Sequence, residues 1–217
     1  MIRWPFRRAV EAACHHPFRE ATADRFYNLM FCDDLELARR EPSPLSGPWR
    51  LLMEPSPRSS ALRTLATAEH ADSRARALAA ALLRARGAPV TPASTLGVVV
   101  EVALPEGPEL LAAYADGAVR HLDAFGRALA FEGAPAAVQA LARDIVARGA
   151  AFGRRRAIWS GARLPPPRCG DVRVSVLGTD GLRFIEGSFA ALQADADIAA
   201  IIGGAVRLLR QLQRRDR

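Results

Sequence analysis

"TLGVVVEVALPEGPELLAAYADGAVRHLDAFGRALAFE", residues 95–132, decides the fold. Its first ten residues are β-branched and almost continuously apolar, the composition of a strand buried on both faces. "PEGP" ends that run. "ELLAAYA" and "AVRHLD" then flank Asp116-Gly117, a dipeptide favoured in two-residue hairpin turns. A second turn at Phe125-Gly126 leads into "RALAFE". Four strands are therefore expected, at 95–104, 109–115, 118–123 and 127–132, joined as an antiparallel meander. With two-residue turns, Tyr114 would face Val119, and His121 would lie between Ala112 and Ala130. A histidine between two alanines leaves room for a ligand or a packed helix.

Helices are expected on both sides of this meander in sequence. Before it, Phe26, Leu29 and Met30 mark a helix face, and "CDD" (32–34) offers a cap or turn. Residues 41–58 hold five prolines and Gly47, and read as an extended loop pinned to the core by Trp49, Leu51, Leu52 and Met53. Residues 59–86 are helical, with Ser59 to Ala68 as a separate short helix. In the second helix Ala75, Leu78, Ala79, Leu82 and Leu83 form one face, Arg74, Arg76, Arg84 and Arg86 lie mostly off it, and Gly87 is the stop. After the meander, Val138, Leu141, Ala142, Ile145 and Val146 give a single-faced helix stopped by Gly149. "DVRVSVLG" and "LRFIEG" around "TDG" form a hairpin. Ser188 caps the last helical region, whose stripe runs from Ile198 to Leu212. Gly203 and Gly204 sit within it and suggest a close approach to the sheet or a break.

This order gives an α+β fold: an antiparallel sheet of about six strands, a four-strand meander plus a hairpin, packed with helices, with a helical N-terminal part. Residues 19–213 are expected as one domain, helical over 19–90 and sheet-bearing over 94–213. Residues 1–18 form an N-terminal extension and 214–217 a tail. Trp4, Phe6, Val10 and Ala13 could line a short basic amphipathic helix in that extension, which frays or docks on its own domain.

All 30 basic residues are arginine, and the net charge is +7. That balance favours acidic partners, although an alanine- and arginine-rich composition also suits a GC-rich genome. Three widely spaced cysteines argue against a disulfide framework and for the cytoplasm. No apolar run reaches membrane-spanning length. The sequence carries no phosphate-binding or nucleotide-binding glycine pattern, no zinc-protease motif and no nucleophile elbow. No catalytic residue, metal or cofactor is assigned; Cys14-His15-His16 are adjacent, and neighbouring helical positions diverge by about 100° rather than converging on one ion.

The strongest electrostatic feature spans Arg148 to Arg168, with Arg154, Arg155 and Arg156 followed by Trp159 and with no acidic residue between Asp144 and Asp171. Arginines beside an aromatic suit an acidic protein surface or, less strongly, phosphates of nucleic acid.

Several pieces together resemble a family of small bacterial cytosolic proteins to which no activity is assigned. They are "RFYNLMFCDD" (25–34), "PWRLLM" (48–53), "SRARALAAALLRARG" (73–87), "LGVVVEVAL" (96–104), "LLAAYADGAVRHLDAFGRALAFE" (110–132) and "GDVRVSVLGTDGLRFIEGSFAAL" (170–192). Order and spacing match over roughly residues 25–212. The resemblance implies one folded unit and brings no reaction, cofactor or partner. Arg183 and Ile185 depart from the family pattern in the last hairpin.

Two functional expectations follow. The first is a non-enzymatic binding or adaptor protein that recognises an acidic or protein partner through Arg154, Arg155, Arg156 and Trp159. The second is a small-ligand-binding protein or enzyme with a pocket on the sheet near His121, Tyr114 and Glu186.

Overall fold

The computed structural model describes residues 14–40 and 47–214. The helix expected around Trp4, Phe6, Val10 and Ala13 lies outside the described residues, as do the prolines at 42 and 44 and residues 215–217 of the tail. Five helices come first: α1 (Ala21–Leu29), α2 (Leu35–Arg39), α3 (Pro48–Leu52), α4 (Ser59–Thr67) and α5 (Ser73–Ala85). The meander follows as β1 (Thr95–Leu104), β2 (Gly107–Tyr114), β3 (Val119–Leu122) and β4 (Ala128–Phe131). Then come α6 (Ala136–Gly153), β5 (Asp171–Gly178), β6 (Gly181–Ser188), α7 (Phe189–Gln193) and α8 (Ala196–Gln213). The strands form one antiparallel sheet in the order β4-β3-β2-β1-β5-β6, so the fold is α+β as the sequence predicts.

β1 is central and its side chains enter two cores. On the first face Leu96, Val99, Leu110, Ala112 and Leu122 meet Tyr27, Met30, Leu52 and Leu83 of the N-terminal helices. On the second face Val98, Val100, Val174 and Val176 meet Ile145 of α6 and Ile198, Ile201 and Leu208 of α8. This double burial is why β1 reads as a continuous apolar run instead of an alternating one.

The meander differs from its prediction in register. The Tyr114 amide donates to the Ala118 carbonyl at 3.0 Å, so the loop is Ala115-Asp116-Gly117, with Gly117 at φ +94°. The next hairpin repeats this: the Asp123 amide donates to the Arg127 carbonyl at 3.1 Å, and Gly126 takes φ +85°. Both are three-residue loops, a type I turn followed by a left-handed glycine. Each aspartate stabilises its loop: the Asp116 carboxylate accepts from the Ala118 amide, and that of Asp123 from the Phe125 and Arg127 amides. The extra residue slides the pairing by one, and a slip of one turns side chains to the other face. His121 consequently pairs with Leu111 and Leu129, not with Ala112 and Ala130.

Other expectations change for packing reasons. Proline density does not prevent α3, because Pro48 occupies the first helical turn, where no amide is needed. Arg74 and Arg76 are buried, since α5 lies inside the N-terminal layer; Arg74 reaches Asp72 and Glu132, and Arg76 reaches the Ala66 carbonyl. Gly149 is no stop. It lies inside α6, where a Cβ would stand 2.3 Å from Val98 Cγ2 of β1. Residues 14–18 are bound to α1 through His15, His16 and Phe18, so the boundary drawn at residue 18 falls inside an anchored segment.

Gly204 marks a close approach of α8 to α6, not to the sheet, and Gly203 marks none. A Cβ on Gly204 would lie 2.9 Å from Ile145 Cγ1, whereas one on Gly203 would meet only the Arg207 guanidinium at 3.7 Å. Two adjacent glycines should therefore respond oppositely to alanine. Gly203→Ala gains up to about 1 kcal/mol in urea unfolding from helix propensity. Gly204→Ala loses about 1–3 kcal/mol by overpacking.

Candidate functional site

One cross-strand row on the first face carries charge through the core. Glu101 of β1 pairs with Arg173 of β5, which pairs with Glu186 of β6. Glu101 is fully buried, and Arg173 is 3% exposed. The Tyr27 hydroxyl of α1 donates to Glu101 Oε1 at 2.9 Å, and Arg173 Nη1 lies 3.5 Å from Glu101 Oε2. Arg173 also donates to Glu186 at 2.6 Å and to the Pro165 carbonyl at 2.7 Å. Burial pushes the Glu101 carboxyl above its ordinary range; Arg173 and the Tyr27 hydroxyl pull it back without cancelling the effect.

A second buried guanidinium lies beside this row. Arg163 donates to Asp33 Oδ2 at 2.9 Å and to Asn28 Oδ1 at 2.7 Å, and its guanidinium stands over the Phe31 ring at 4.1 Å. Asn28 closes the group by bonding both the amide and the carbonyl of His15. The His15 ring meets the Arg163 carbonyl at 3.0 Å, and burial lowers its pKa. His16 instead pairs with Asp24. Cys14, His15 and His16 thus turn to separate surroundings, and among the described residues no group of three metal-ligating side chains assembles. Burial pushes the Cys32 thiol up to about 12, which leaves it protonated and a poor nucleophile at neutral pH.

The residues expected to line a pocket are not brought together. His121 lies on the second face, buried and bonded to Glu109 at 3.0 Å. Tyr114 lies on the first face, fully enclosed, with its hydroxyl donating to the Met30 carbonyl at 2.8 Å. Glu186 is on that face too, but on the edge strand and engaged by Arg173. A cleft of about 240 Å³ does open near the β2–β3 loop, lined by Asp72, Arg74, Asp116 and Glu132. Its arginine is already engaged by Asp72 and Glu132.

No family model, curated protein or solved structure gives a significant match to this chain.

The arginine-rich connection after α6 behaves differently from the buried networks. Arg154, Arg155 and Arg156 are exposed at the helix end; Arg155 pairs with Asp197 of α8, and Arg156 stands over the Phe152 ring. The chain then runs outside β6, where the Trp159 amide donates to the Leu182 carbonyl at 2.7 Å. Trp159 remains 40% exposed and Ile158 45%. The indole packs edge-on against Phe184, with its N–H on the Ala162 carbonyl. Beyond this projection Arg163 returns the chain to the core.

The expected residues Arg154, Arg155, Arg156 and Trp159 are therefore all exposed beside β6, but the arginines stand with the end of α6 on the second face and Trp159 with Phe184 on the first. Ile158 and Phe184 were passed over by the sequence reading. Glu101, Arg173 and Tyr27 were also passed over. The signal for the ion pair is a charge inside each of two apolar strand runs, Glu101 within β1 and Arg173 between Val172 and Val174 of β5, with opposite signs.

Arg173→Met should cost about 3–5 kcal/mol at pH 7, because it leaves the Glu101 charge buried without its partner. The double variant Glu101→Leu/Arg173→Met should recover most of that loss. In the single variant the folded-state pKa of Glu101 lies further above its unfolded value. Its deficit is then greatest at neutral pH and shrinks as the pH falls toward the ordinary glutamate range, where both states bind the proton. Urea unfolding of the wild type and the two variants from neutral pH down to about pH 4, near the ordinary glutamate pKa, checks both the rescue and the sign.

Proposed function

We propose that the protein is a non-enzymatic binding or adaptor protein that recognises an acidic protein partner through residues 154–159 and β6. The observation that carries this reading is the exposure of Trp159 and Ile158 directly after three arginines. Tryptophan and arginine are the side chains that most often dominate binding energy at protein interfaces. The carboxylates around the surface are neutralised from within: Asp180 by Arg183, Glu186 by Arg173 and Asp197 by Arg155. Arg154 makes no ion pair among the described residues, so the unbalanced charge is positive.

A pocket formed by His121, Tyr114 and Glu186 is not supported, because His121 and Tyr114 face opposite cores. Nucleic acid is a weaker reading, since one exposed indole offers little stacking area for successive bases. The bacterial cytosol is the setting we assign, supported by three cysteines that form no disulfide and by the arginine- and alanine-rich composition.

The test is quantitative co-purification from the native host, using the wild-type protein and the variant Arg154→Ala/Arg156→Ala/Trp159→Ala. The substituted side chains are exposed, so the variant should keep its unfolding midpoint. The reading expects an acidic protein enriched about tenfold or more by the wild type over the variant. Equal enrichment, enrichment of nucleic acid alone, or no enrichment overturns it.

A further inference from the structure

We infer that the open edge of β6 accepts an extended acidic segment of the partner as an added strand, a segment in which acidic and apolar residues alternate. The inference rests on the binding reading above and names the mode and chemistry of recognition.

β6 ends the sheet on one side. Its hairpin to β5 closes at the pair Gly178–Gly181, so alternate residues of β6 turn their backbone groups away from β5. Those residues are Leu182, Phe184, Glu186 and Ser188. The Leu182 carbonyl confirms the direction, because it accepts from Trp159 outside the sheet. That contact also shows that a backbone amide from outside the sheet reaches this edge. It covers only the start of the strand. Among the described residues, no hydrogen bond from outside the sheet reaches the backbone N–H or C=O of Phe184 or Glu186. The opposite edge, β4, is only four residues long, a length that discourages strand addition.

The two sides of this edge differ in chemistry. On the first face stand Trp159 and Phe184, in edge-on contact at 5.3 Å. On the second face lies the end of α6, where Arg156 stands over Phe152, Arg154 caps the helix and Arg183 bonds the Arg156 carbonyl. A strand laid along β6 would send successive side chains alternately to these two faces. Apolar residues would therefore meet the aromatic side, and acidic residues the guanidinium side. Backbone pairing would supply affinity and the two faces the specificity, as in other cases of strand addition.

A fluorescein-labelled octapeptide of alternating glutamate and valine is a suitable probe, with alternating lysine and valine as the control. Fluorescence anisotropy reads binding, and amide hydrogen exchange by NMR reads position. The Phe184 and Glu186 amides should exchange rapidly in the free protein and slow by about tenfold or more with saturating peptide. The Ile185 amide, which faces β5, should not change. The lysine peptide should bind at least about tenfold more weakly, and Arg154→Ala/Arg156→Ala should remove that preference. Binding that leaves Phe184 and Glu186 unprotected overturns strand addition. If that binding is still lost in the Arg154/Arg156/Trp159 variant, the binding surface stands without it. No binding up to about 1 mM peptide overturns the inference, while the co-purification result judges the binding reading separately.

Discussion

A carboxyl group without solvent contact lies at the centre of the sheet, and one guanidinium offsets part of the cost of its burial. Removing Glu101 and Arg173 from water costs several kcal/mol for each ion, and the pair repays this only when its remaining donors and acceptors are also met. Glu101 Oε2 has only the 3.5 Å ion pair with Arg173 and no hydrogen bond, and the other partners come from distant parts of the chain. Tyr27 is on α1, Glu186 on β6, and the carbonyls of Leu164 and Pro165 are in the connection after α6. One buried charge thereby positions four segments. The row Glu101–Arg173–Glu186 also exists in only one register. A slip of one residue between β1 and β5 would turn a charged side chain toward the valine core on the second face. Two apolar residues could pack as stably here, but they would discriminate less between registers.

The Arg163 network has a corresponding effect on the chain before it. Arg163 is nearly buried, between the rings of Tyr27 and Phe31 and the side chains of Asp33 and Asn28. At the other end, α6 is held by the valines of the second core. The segment between these anchors passes over the start of β6, where Ile158 crowds Gly181 so closely that a Cβ there would stand 2.6 Å from Ile158 Cγ2. The anchors leave no core position for Trp159. A guanidinium occupies the aromatic pocket on the first face, and the tryptophan packs on the edge strand instead. The exposure of Trp159 is thus a consequence of where Arg163 is buried.

Strands and helix faces were legible because their signals are local. β-branched runs give the strands, and spacings of three and four give the stripes of α5, α6 and α8. What was hidden depends on contacts distant in sequence. Asp116-Gly117 suits a two-residue or a three-residue loop, and here the Asp116 carboxylate also accepts the Ser73 amide, 43 residues away. Gly149 looks like a helix stop because nothing in its neighbourhood reveals Val98. The proposed surface was half legible: Arg154, Arg155, Arg156 and Trp159 stand together in sequence, but only the hairpin brings Phe184 to Trp159. The three residues of the pocket reading are apart for two reasons: a loop longer by a single residue placed His121 and Tyr114 on opposite faces, and Glu186 lies on the edge strand β6, engaged by Arg173.

Composition bias accounts for the number of arginines but not for their placement. A chain that uses arginine wherever it needs a surface cation would scatter it over exposed positions. Here Arg74, Arg76, Arg163 and Arg173 are buried, and each is matched to carboxylates, carbonyls or rings. A planar guanidinium with five donors can satisfy several fixed acceptors at once, and it accepts burial better than an ammonium does. The same chemistry at the end of α6 has a different geometry. The exposed Arg156 stands over the Phe152 ring at 5.0 Å, and Arg154 makes no ion pair among the described residues. Where the fold needs arginine, it supplies the acceptors. Beside the open half of β6 it leaves guanidinium donors and an indole exposed, which is the ground of the proposed recognition of an acidic partner.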